Sequence, residues 1–218
     1  MMPFTTAQFF GVFAAYNTAI WPLQWVLLAL AAAAIVLPFS TLRVRDRLVA
    51  GALAALWLWM GVVYHLVFFT AINPAAPAFG VAFALEGVLL IRAGLGPDPL
   101  HFIPRRDVYG ATGAVLLLYA LIVYPLLGYL LGHRYPAVPT FGAPCPTTIF
   151  TFGLLLWTVG SVPWWVLVIP GLWALLGLSA ALSLDVPQDL GLFAGAVIAI
   201  PMLIVRRRRA EAMPVNLA

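Results

Sequence analysis

Long apolar runs, separated by short polar or proline-containing segments, make up most of this chain. Several of these runs exceed the length of about 18 residues that predicts a membrane-spanning helix. The predicted spans cover residues 20–38, 48–70, 75–95, 108–131, 147–160, 164–184 and 188–205. The predicted fold is therefore all-α, a seven-helix transmembrane bundle that forms a single domain over residues 1–218.

The fifth predicted span, 147–160, is short for a membrane helix. At 1.5 Å per residue it covers about 21 Å, whereas the hydrocarbon core is about 30 Å thick. It is either a full crossing or a re-entrant hairpin, which leaves six crossings. With seven crossings every arginine except Arg134 falls on one side, whereas six would move the Arg206–Arg209 run across. We therefore expect seven spans, an outside N-terminus and a cytoplasmic C-terminus.

A shorter amphipathic pattern precedes the first span. Thr5 and Gln8 have the spacing of a helix capping box, and Phe9 and Phe13 then fall on one helical face. This segment, 5–16, is either a helix lying in the membrane interface or an extension of the first span.

The composition supports a membrane protein with little mass outside the bilayer. The chain is 64% apolar and 8% charged, with a mean hydropathy of +1.06, whereas soluble domains carry about 25% charged residues. All the basic residues are arginines in loops beside the spans, where they determine topology. The expected partner is thus the lipid bilayer and not a nucleic acid. Arginine usage and abundant Ala, Leu and Gly indicate a GC-rich bacterial source and an inner-membrane location.

The most distinctive stretch is HRYPAVPTFGAPCPTTIFTF, residues 133–152. Its cysteine, Cys145, is the only one in the chain, which excludes an intramolecular disulfide. Pro146 suits the first position of a helix, which places Cys145 at the N-cap and Thr147 and Thr148 just inside. A thiol at a helix N-terminus is favoured as the thiolate.

Two hypotheses for Cys145 follow. It can act as a ligand, with His133 and His65 as nitrogen partners, to a thiophilic metal ion such as zinc or copper. Alternatively, the prolines stiffen a cap folded over the helix bundle, and Cys145 is a small, buried, apolar residue. No ligand spacing of the zinc type supports the metal hypothesis.

Glu86 is the second candidate, because an ionisable residue inside a span is a functional hypothesis by default. It lies about 16 Å from the outer end of its span and His65 about 8 Å, so the two side chains are not expected to meet. Tyr119, Thr158 and Trp59 fall at the depth of Glu86 and are its expected hydrogen-bond donors. Glu86 is then either part of a proton or cation relay, or a protonated residue hydrogen-bonded between helices.

Other polar residues are predicted on the outer side of the membrane. His65 is either a metal ligand or a hydrogen-bonded interhelical residue. Asp185 and Asp189 form either a cation-attracting pair or a solvated acidic turn. The predicted outer polar set is Asn17, Gln24, His65, Asn73, His133, Cys145, Thr147, Thr148, Asp185 and Asp189. Pro125, Pro170 and Pro201 lie inside predicted spans, where helix kinks are expected.

Four segments also carry a family resemblance: QFFGVFAAYNTAIWPLQ, LWLWMGVVYHLVFFTAINPAAPAFG, YPLLGYLLGHRYPAVPTFGAPCPTTIFTFGLLL and DVPQDLGL. Together they resemble the bacterial multi-pass membrane proteins grouped as domain of unknown function 6064. The resemblance extends from Pro3 to Leu192. It implies an integral membrane protein of bacterial type and brings no catalytic residues.

Three functional hypotheses follow. The first is binding or translocation of a small solute or ion, with Glu86, His65, Tyr119, Thr158, Asn73, Thr147 and Thr148 as the candidate pathway. The second is a non-catalytic accessory or scaffold subunit, in a homo-oligomer or a larger membrane complex. The third is a metal-handling membrane protein that uses Cys145 and His133. The sequence contains no catalytic or nucleotide-binding motif, which favours a non-enzymatic role.

Overall fold

A computed structural model describes residues 3–212 of the chain, and these residues are almost entirely helical. The C-terminal residues 213–218, which the topology prediction places in the cytoplasm, lie outside the described part. The helices are α1 Thr6–Ala19, α2 Gln24–Val36, α3 Arg45–Trp59, α4 Ala76–Leu95, α5 Val108–Leu118, α6 Tyr124–Leu130, α7 Pro144–Leu156, α8 Val168–Ser183 and α9 Leu190–Ala212. Two short strands, β1 His101–Phe102 and β2 Thr158–Val159, pair antiparallel.

The all-α prediction is confirmed, and most predicted spans coincide with long apolar helices. Within the described residues, five continuous helical segments are long and apolar enough to cross a membrane: Arg45–Ala71, Ala76–Leu95, Val108–Leu130, Trp164–Ser183 and Pro187–Arg209. The pair Thr6–Ala19 and Gln24–Phe39 makes a sixth if it is counted as one span, although its two parts meet at 88°. The count of seven is therefore not established, because α7 has only 13 residues.

The N-terminal helix has the start that the sequence predicts. Thr5 accepts a hydrogen bond from the Gln8 backbone, while the Gln8 side chain accepts one from the Thr5 backbone. The sharp bend near the cis peptide Trp21–Pro22 makes α1 a separate helix and not a straight extension of α2.

The short helix α7 lies at the centre of the bundle. Every residue of it except Cys145 is buried, and α5, α8 and α9 pack around it. A helix that is apolar on all sides must be buried, and here other helices bury it. Gly113 of α5 and Gly153 of α7 allow close approach, since a Cβ at Gly153 would lie 3.0 Å from the Gly113 carbonyl oxygen. Because protein surrounds α7, its length need not match the thickness of a bilayer.

The two ends of the bundle differ in charge. At one end, here called the arginine-rich end, Asp46 accepts hydrogen bonds from the Phe102 backbone and the His101 ring, both at 3.0 Å. The β1–β2 pairing brings the end of α7 to this same place. Arg134 lies at the opposite end, with the loop between α6 and α7.

The three prolines predicted to kink spans behave differently. Pro125 follows a π-helical turn, Tyr119–Val123, and this wider turn accommodates the missing donor of the proline. Pro170 lies in the first turn of α8, where a backbone N–H has no intrahelical partner, and a 3-10 turn, Trp164–Leu167, directly precedes this helix. Pro201 is inside α9, which continues through it.

Candidate functional site

A cavity of about 100 Å³ lies near the end of the bundle opposite the arginines. Aromatic rings form most of its wall, and we call it the aromatic cavity. It is lined by Phe4, Phe9, Phe13, Tyr64, Phe69, Asn73, Phe79, Pro144, Cys145, Trp173, Leu176, Gly177, Ala180, Leu184 and Asp189. Asn73, Cys145 and Asp189 add polar groups to this surface, beside the Tyr64 hydroxyl and the Trp173 indole N–H.

Asp189 is the ionisable residue of this cavity. It is 1% exposed and ends a short 3-10 turn, Pro187–Asp189, that leads into α9. The hydroxyl group of Tyr124 donates a hydrogen bond of 2.5 Å to Oδ1 of Asp189. Cys145 of α7 lines the same cavity. The buried carboxyl group is thus fixed by Tyr124 of α6 and shares the cavity wall with a thiol.

The hypothesis of an acidic turn made of Asp185 and Asp189 is only half right. Asp185 is exposed and has a left-handed backbone, with φ of 58°. This conformation reverses the chain between α8 and α9 and turns the two carboxyl groups into different environments. Asp185 stays in a surface turn, whereas Asp189 points into the bundle.

Cys145 is partly exposed although protein surrounds it. Its accessible surface faces the aromatic cavity. The predicted N-cap position was wrong by two residues: Ala143 is the N-cap of α7, and Pro144 occupies the first turn. The reason is that Pro144 suits the start of a helix as well as Pro146 does. Cys145 therefore lies within the first turn, beside Asp189.

Thr147 and Thr148 stabilise this helix start instead of facing a ligand. The Thr147 hydroxyl oxygen accepts a hydrogen bond of 3.2 Å from the Gly142 backbone. The Thr148 hydroxyl donates to the Pro144 carbonyl at 2.7 Å. Both side chains are fully buried. Asn73 does line the cavity, and its Oδ1 accepts a hydrogen bond from the Ala75 backbone at 2.9 Å.

The segment 132–143 folds over this end of the bundle, as the cap hypothesis predicts. Asn17 holds it there. Its Nδ2 donates to the carbonyl oxygens of Pro136 and Val138, at 2.7 and 2.8 Å, and its Oδ1 accepts from Thr140 at 2.8 Å. The Tyr16 hydroxyl donates to the Gly142 carbonyl at 3.0 Å. The segment is therefore a hydrogen-bonded cap and not a loose loop.

The structure does not bring Cys145, His133 and His65 together as a metal site. The His133 ring stacks on Phe10, with centroids 4.4 Å apart. The His65 ring is fully buried against aromatic side chains, which are Tyr64, Phe69, Phe79, Phe83 and Trp173. Within residues 3–212 no group of three His, Cys, Asp or Glu side chains can hold a metal ion. The thiophilic-metal prediction is therefore not supported.

Glu86 is fully buried, as expected for a residue in the middle of a span. The structure does not give it the expected donors. Tyr119 donates to the Gln188 carbonyl at 2.8 Å, and Trp59 donates to the Tyr16 hydroxyl at 2.8 Å. Neither carboxyl oxygen of Glu86 has a hydrogen-bond partner among the described residues. Glu86 is also absent from the residues that line the aromatic cavity.

Thr158, the third expected partner of Glu86, lies instead at the arginine-rich end. Its hydroxyl donates to the Leu155 carbonyl at 2.7 Å and accepts from Arg206 at 2.6 Å. Arg206 also donates to the Thr158 carbonyl at 2.6 Å. The guanidinium group thus caps the C-terminus of α7, where the helix dipole favours a positive charge. The predicted span 147–160 includes Thr158, but α7 ends at Leu156.

The sequence pattern does not identify the residues that organise both ends of α7. It pairs Asp189 with Asp185, gives Tyr124 no role and marks Arg206 only as a topology determinant. It places Asn17 on the outer side without a role. One signal was present: Asn17, Asp189 and Arg206 are polar residues next to long apolar runs, where an unpaired polar group is costly.

Comparisons with known proteins complete this description. The model of a family of unknown function, DUF6064, matches residues 6–213 of the chain. No curated protein and no solved structure matches the chain.

Proposed function

The chain belongs to the DUF6064 family, and we propose that it is an integral membrane protein that binds a small, largely apolar ligand in the aromatic cavity. The observation that carries the proposal is the cavity itself, whose apolar wall contains a few convergent polar groups. This combination is typical of small-molecule sites.

Placement in a membrane is supported by the long apolar helices and by their surface. Many large apolar side chains are exposed on the outward faces of these helices, among them Val81, Val115, Leu172 and Leu182, which are all more than half exposed. Lipid would cover these side chains. The clustering of arginine at one end supports a cytoplasmic location for that end in a bacterial inner membrane. The aromatic cavity and the N-terminus then face outwards.

The size of the cavity limits the ligand. An apolar cavity of about 150 Å³ is large enough to bind benzene, and the aromatic cavity measures about 100 Å³. The ligand is therefore no larger than a single ring. Since Asp189 and Asn73 provide hydrogen-bonding oxygens and an amide, a ligand with one hydroxyl group fits better than a pure hydrocarbon. A permanently anionic ligand is disfavoured, because the wall is apolar and its ionisable residue is the aspartate Asp189.

Binding is proposed ahead of translocation because the polar groups of the predicted pathway do not form one path. Asn73 lines the cavity, whereas Thr158 lies beside Arg206 at the other end of α7. Glu86 lies neither in the wall of the aromatic cavity nor among the hydrogen-bond partners of Arg206. The geometry therefore supports a site that opens towards one end of the bundle.

Alkylation of Cys145 tests the proposal, because this thiol lies in the cavity wall. The purified protein in detergent is treated with N-ethylmaleimide, with and without phenol as the probe ligand. We expect phenol to slow the alkylation and to raise the unfolding temperature, and benzene at the same concentration to do so less. An Ala180→Phe variant fills the cavity and should remove the phenol effect. Ser179→Phe, at the neighbouring exposed position of α8, is the control and should keep it.

Two outcomes would contradict the proposal. One is an alkylation rate in the native protein that phenol does not change. The other is a phenol effect that is as large in Ala180→Phe as in Ser179→Phe, since the effect would then arise outside the cavity.

A further inference from the structure

A second groove lies at the arginine-rich end, on the opposite side of α7 from the aromatic cavity. It has a volume of about 720 Å³ and is lined by Phe39, Pro104, Arg105, Arg106, Asp107, Gly110, Ala111, Ala114 and Trp157. Arginine side chains border one part of it and apolar side chains the rest. Its residues are distinct from those of the aromatic cavity.

This groove continues along the helices into an apolar channel. The adjoining space, of about 260 Å³, is lined by Ile35, Ala114, Leu117, Leu118, Leu121, Ile122 and Trp157. Ala114 and Trp157 border both spaces, so the two form one continuous groove between α2 and α5. Phe39 and Trp157 meet edge to face at its centre, with ring centroids 5.8 Å apart.

The length of the groove matches half of a bilayer. The side chains that line it extend from Ala111 in α5 to Ile122 in the π-helical turn that follows, which at 1.5 Å per residue is about 16 Å. One leaflet of a hydrocarbon core of about 30 Å has a similar depth. An acyl chain laid along these side chains would therefore reach from the headgroup level to the bilayer centre.

The charges at the wide end of the groove favour an anion. Arg105 is neutralised by Asp107, to which its Nε donates at 2.8 Å. Arg106 is exposed and borders the groove. Arg206 is close by, since both it and Arg105 lie over the Tyr109 ring at 5.3 and 5.2 Å. The carboxylate of Asp107 is occupied by Arg105 and by the Gly110 backbone, so the net charge that faces the groove is positive.

From this geometry we propose that the groove binds an anionic phospholipid, with the phosphate beside Arg106 and one acyl chain along α5 and the following π-helical turn, between Ala111 and Ile122. Basic pockets between membrane helices on the cytoplasmic side are suited to such headgroups. The inference requires insertion in a membrane and is independent of any ligand in the aromatic cavity. Failure of the phenol experiment would leave it standing.

Native mass spectrometry of the full chain tests this inference. The protein is titrated with phosphatidylglycerol and with phosphatidylcholine of identical acyl chains. We expect phosphatidylglycerol to bind more tightly, and Arg106→Gln to weaken its binding about fivefold, since a basic residue near a lipid surface contributes about 1 kcal/mol. Arg92→Gln, which removes an exposed arginine outside the groove, should change neither affinity.

A second variant tests the apolar part. Ala114 is exposed at the junction of the two spaces, so Ala114→Phe should block the acyl chain and reduce the binding of both lipids without unfolding the protein. Glycerol phosphate, which has the headgroup chemistry without the chain, should not compete. Equal binding of the two lipids, equal losses in Arg106→Gln and Arg92→Gln, or full competition by glycerol phosphate would each overturn the proposal.

Discussion

Tyr124 and Asp189 are 65 positions apart in the chain, and the hydroxyl group of one donates a 2.5 Å hydrogen bond to the carboxyl group of the other. Both side chains are 1% exposed. The bond links the start of α6 to the turn before α9, next to the aromatic cavity. It therefore determines where the Asp189 carboxyl group lies relative to Cys145.

Replacing Tyr124 by phenylalanine tests this link. The change removes one donor and leaves a buried carboxyl oxygen without it, so we expect a loss of about 1–3 kcal/mol in the free energy of unfolding. Tyr129→Phe is the matched control, because Tyr129 is 57% exposed and keeps its ring over Arg134. Thermal unfolding of both variants in the same detergent gives the comparison. Equal stability of the two variants would show that the bond contributes nothing.

The arginine that caps α7 provides a second prediction. Arg206→Gln removes the guanidinium group that donates to Thr158 at two atoms. We expect a loss of at least about 1.5–3 kcal/mol, the usual contribution of a hydrogen bond to a charged group. The stability of Arg206→Lys should fall between that of the native protein and that of Arg206→Gln, because a lysine keeps the charge but not the planar set of donors. Arg208→Gln, at an exposed position of the same run, should leave the unfolding temperature unchanged.

The close approach of α5 and α7 is tested with alanine. A Cβ at Gly153 would lie 2.8 Å from Cγ of Leu117 and 3.0 Å from the Gly113 carbonyl oxygen. We expect Gly153→Ala to destabilise the protein by about 1–3 kcal/mol through overpacking. The same substitution at Gly51 meets open space and should stabilise its helix by about 0.5–1 kcal/mol. A stabilised Gly153→Ala would mean that the two helices are further apart than described.

Glu86 gives a prediction with the opposite sign. Its carboxyl oxygens are buried without hydrogen-bond partners in the described part of the chain. Since an unsatisfied buried polar group costs about 1–3 kcal/mol, Glu86→Leu should raise the free energy of unfolding by a similar amount. Glu86→Gln keeps polar atoms at the same place and should give no gain. A destabilised Glu86→Leu would indicate that the carboxyl group has a hydrogen-bond partner in the native protein.

The ion pair at the start of α5 predicts a pH effect. The guanidinium group of Arg105 lowers the pKa of the Asp107 carboxyl group to about 2, because it donates hydrogen bonds to the ionised form. A carboxyl pKa that is lower in the folded state stabilises the fold above the unfolded pKa of about 4. That contribution should disappear as the pH falls from about 4 to 2. In Asp107→Asn, which keeps the helix cap, unfolding temperatures should lose this part of their pH dependence.

Hydrophobic pattern and length predict the long helices well, because each span depends mainly on its own residues. For this reason the boundaries of five predicted spans lie within a few residues of continuous helical segments, which are Arg45–Ala71, Ala76–Leu95, Val108–Leu130, Trp164–Ser183 and Pro187–Arg209. The ends of α7 could not be predicted, because they depend on partners distant in the chain. The strand pairing of Thr158 with Phe102 and the cap by Arg206 stop the helix earlier than hydropathy alone indicates.

The site was harder to predict than the fold for a related reason. Spacing placed Asp185 and Asp189 together, but the left-handed backbone at Asp185 separates them. Depth along the membrane normal placed Tyr119 and Thr158 near Glu86, but depth does not say which helix faces are adjacent. Cys145 is conspicuous in the sequence as its only cysteine, whereas its neighbour Asp189 lies 44 positions further along the chain.

The enclosed position of α7 also has a consequence while the protein is being synthesised. Its 13 residues are covered by protein, so the helix depends on contacts with both α5 and α9. α9 is synthesised after α7, and its Arg206 guanidinium group donates hydrogen bonds to free carbonyl groups at the end of α7. A nascent chain that stops before Arg206 therefore exposes an unfinished centre, and membrane quality-control proteases should remove it faster than the full-length product.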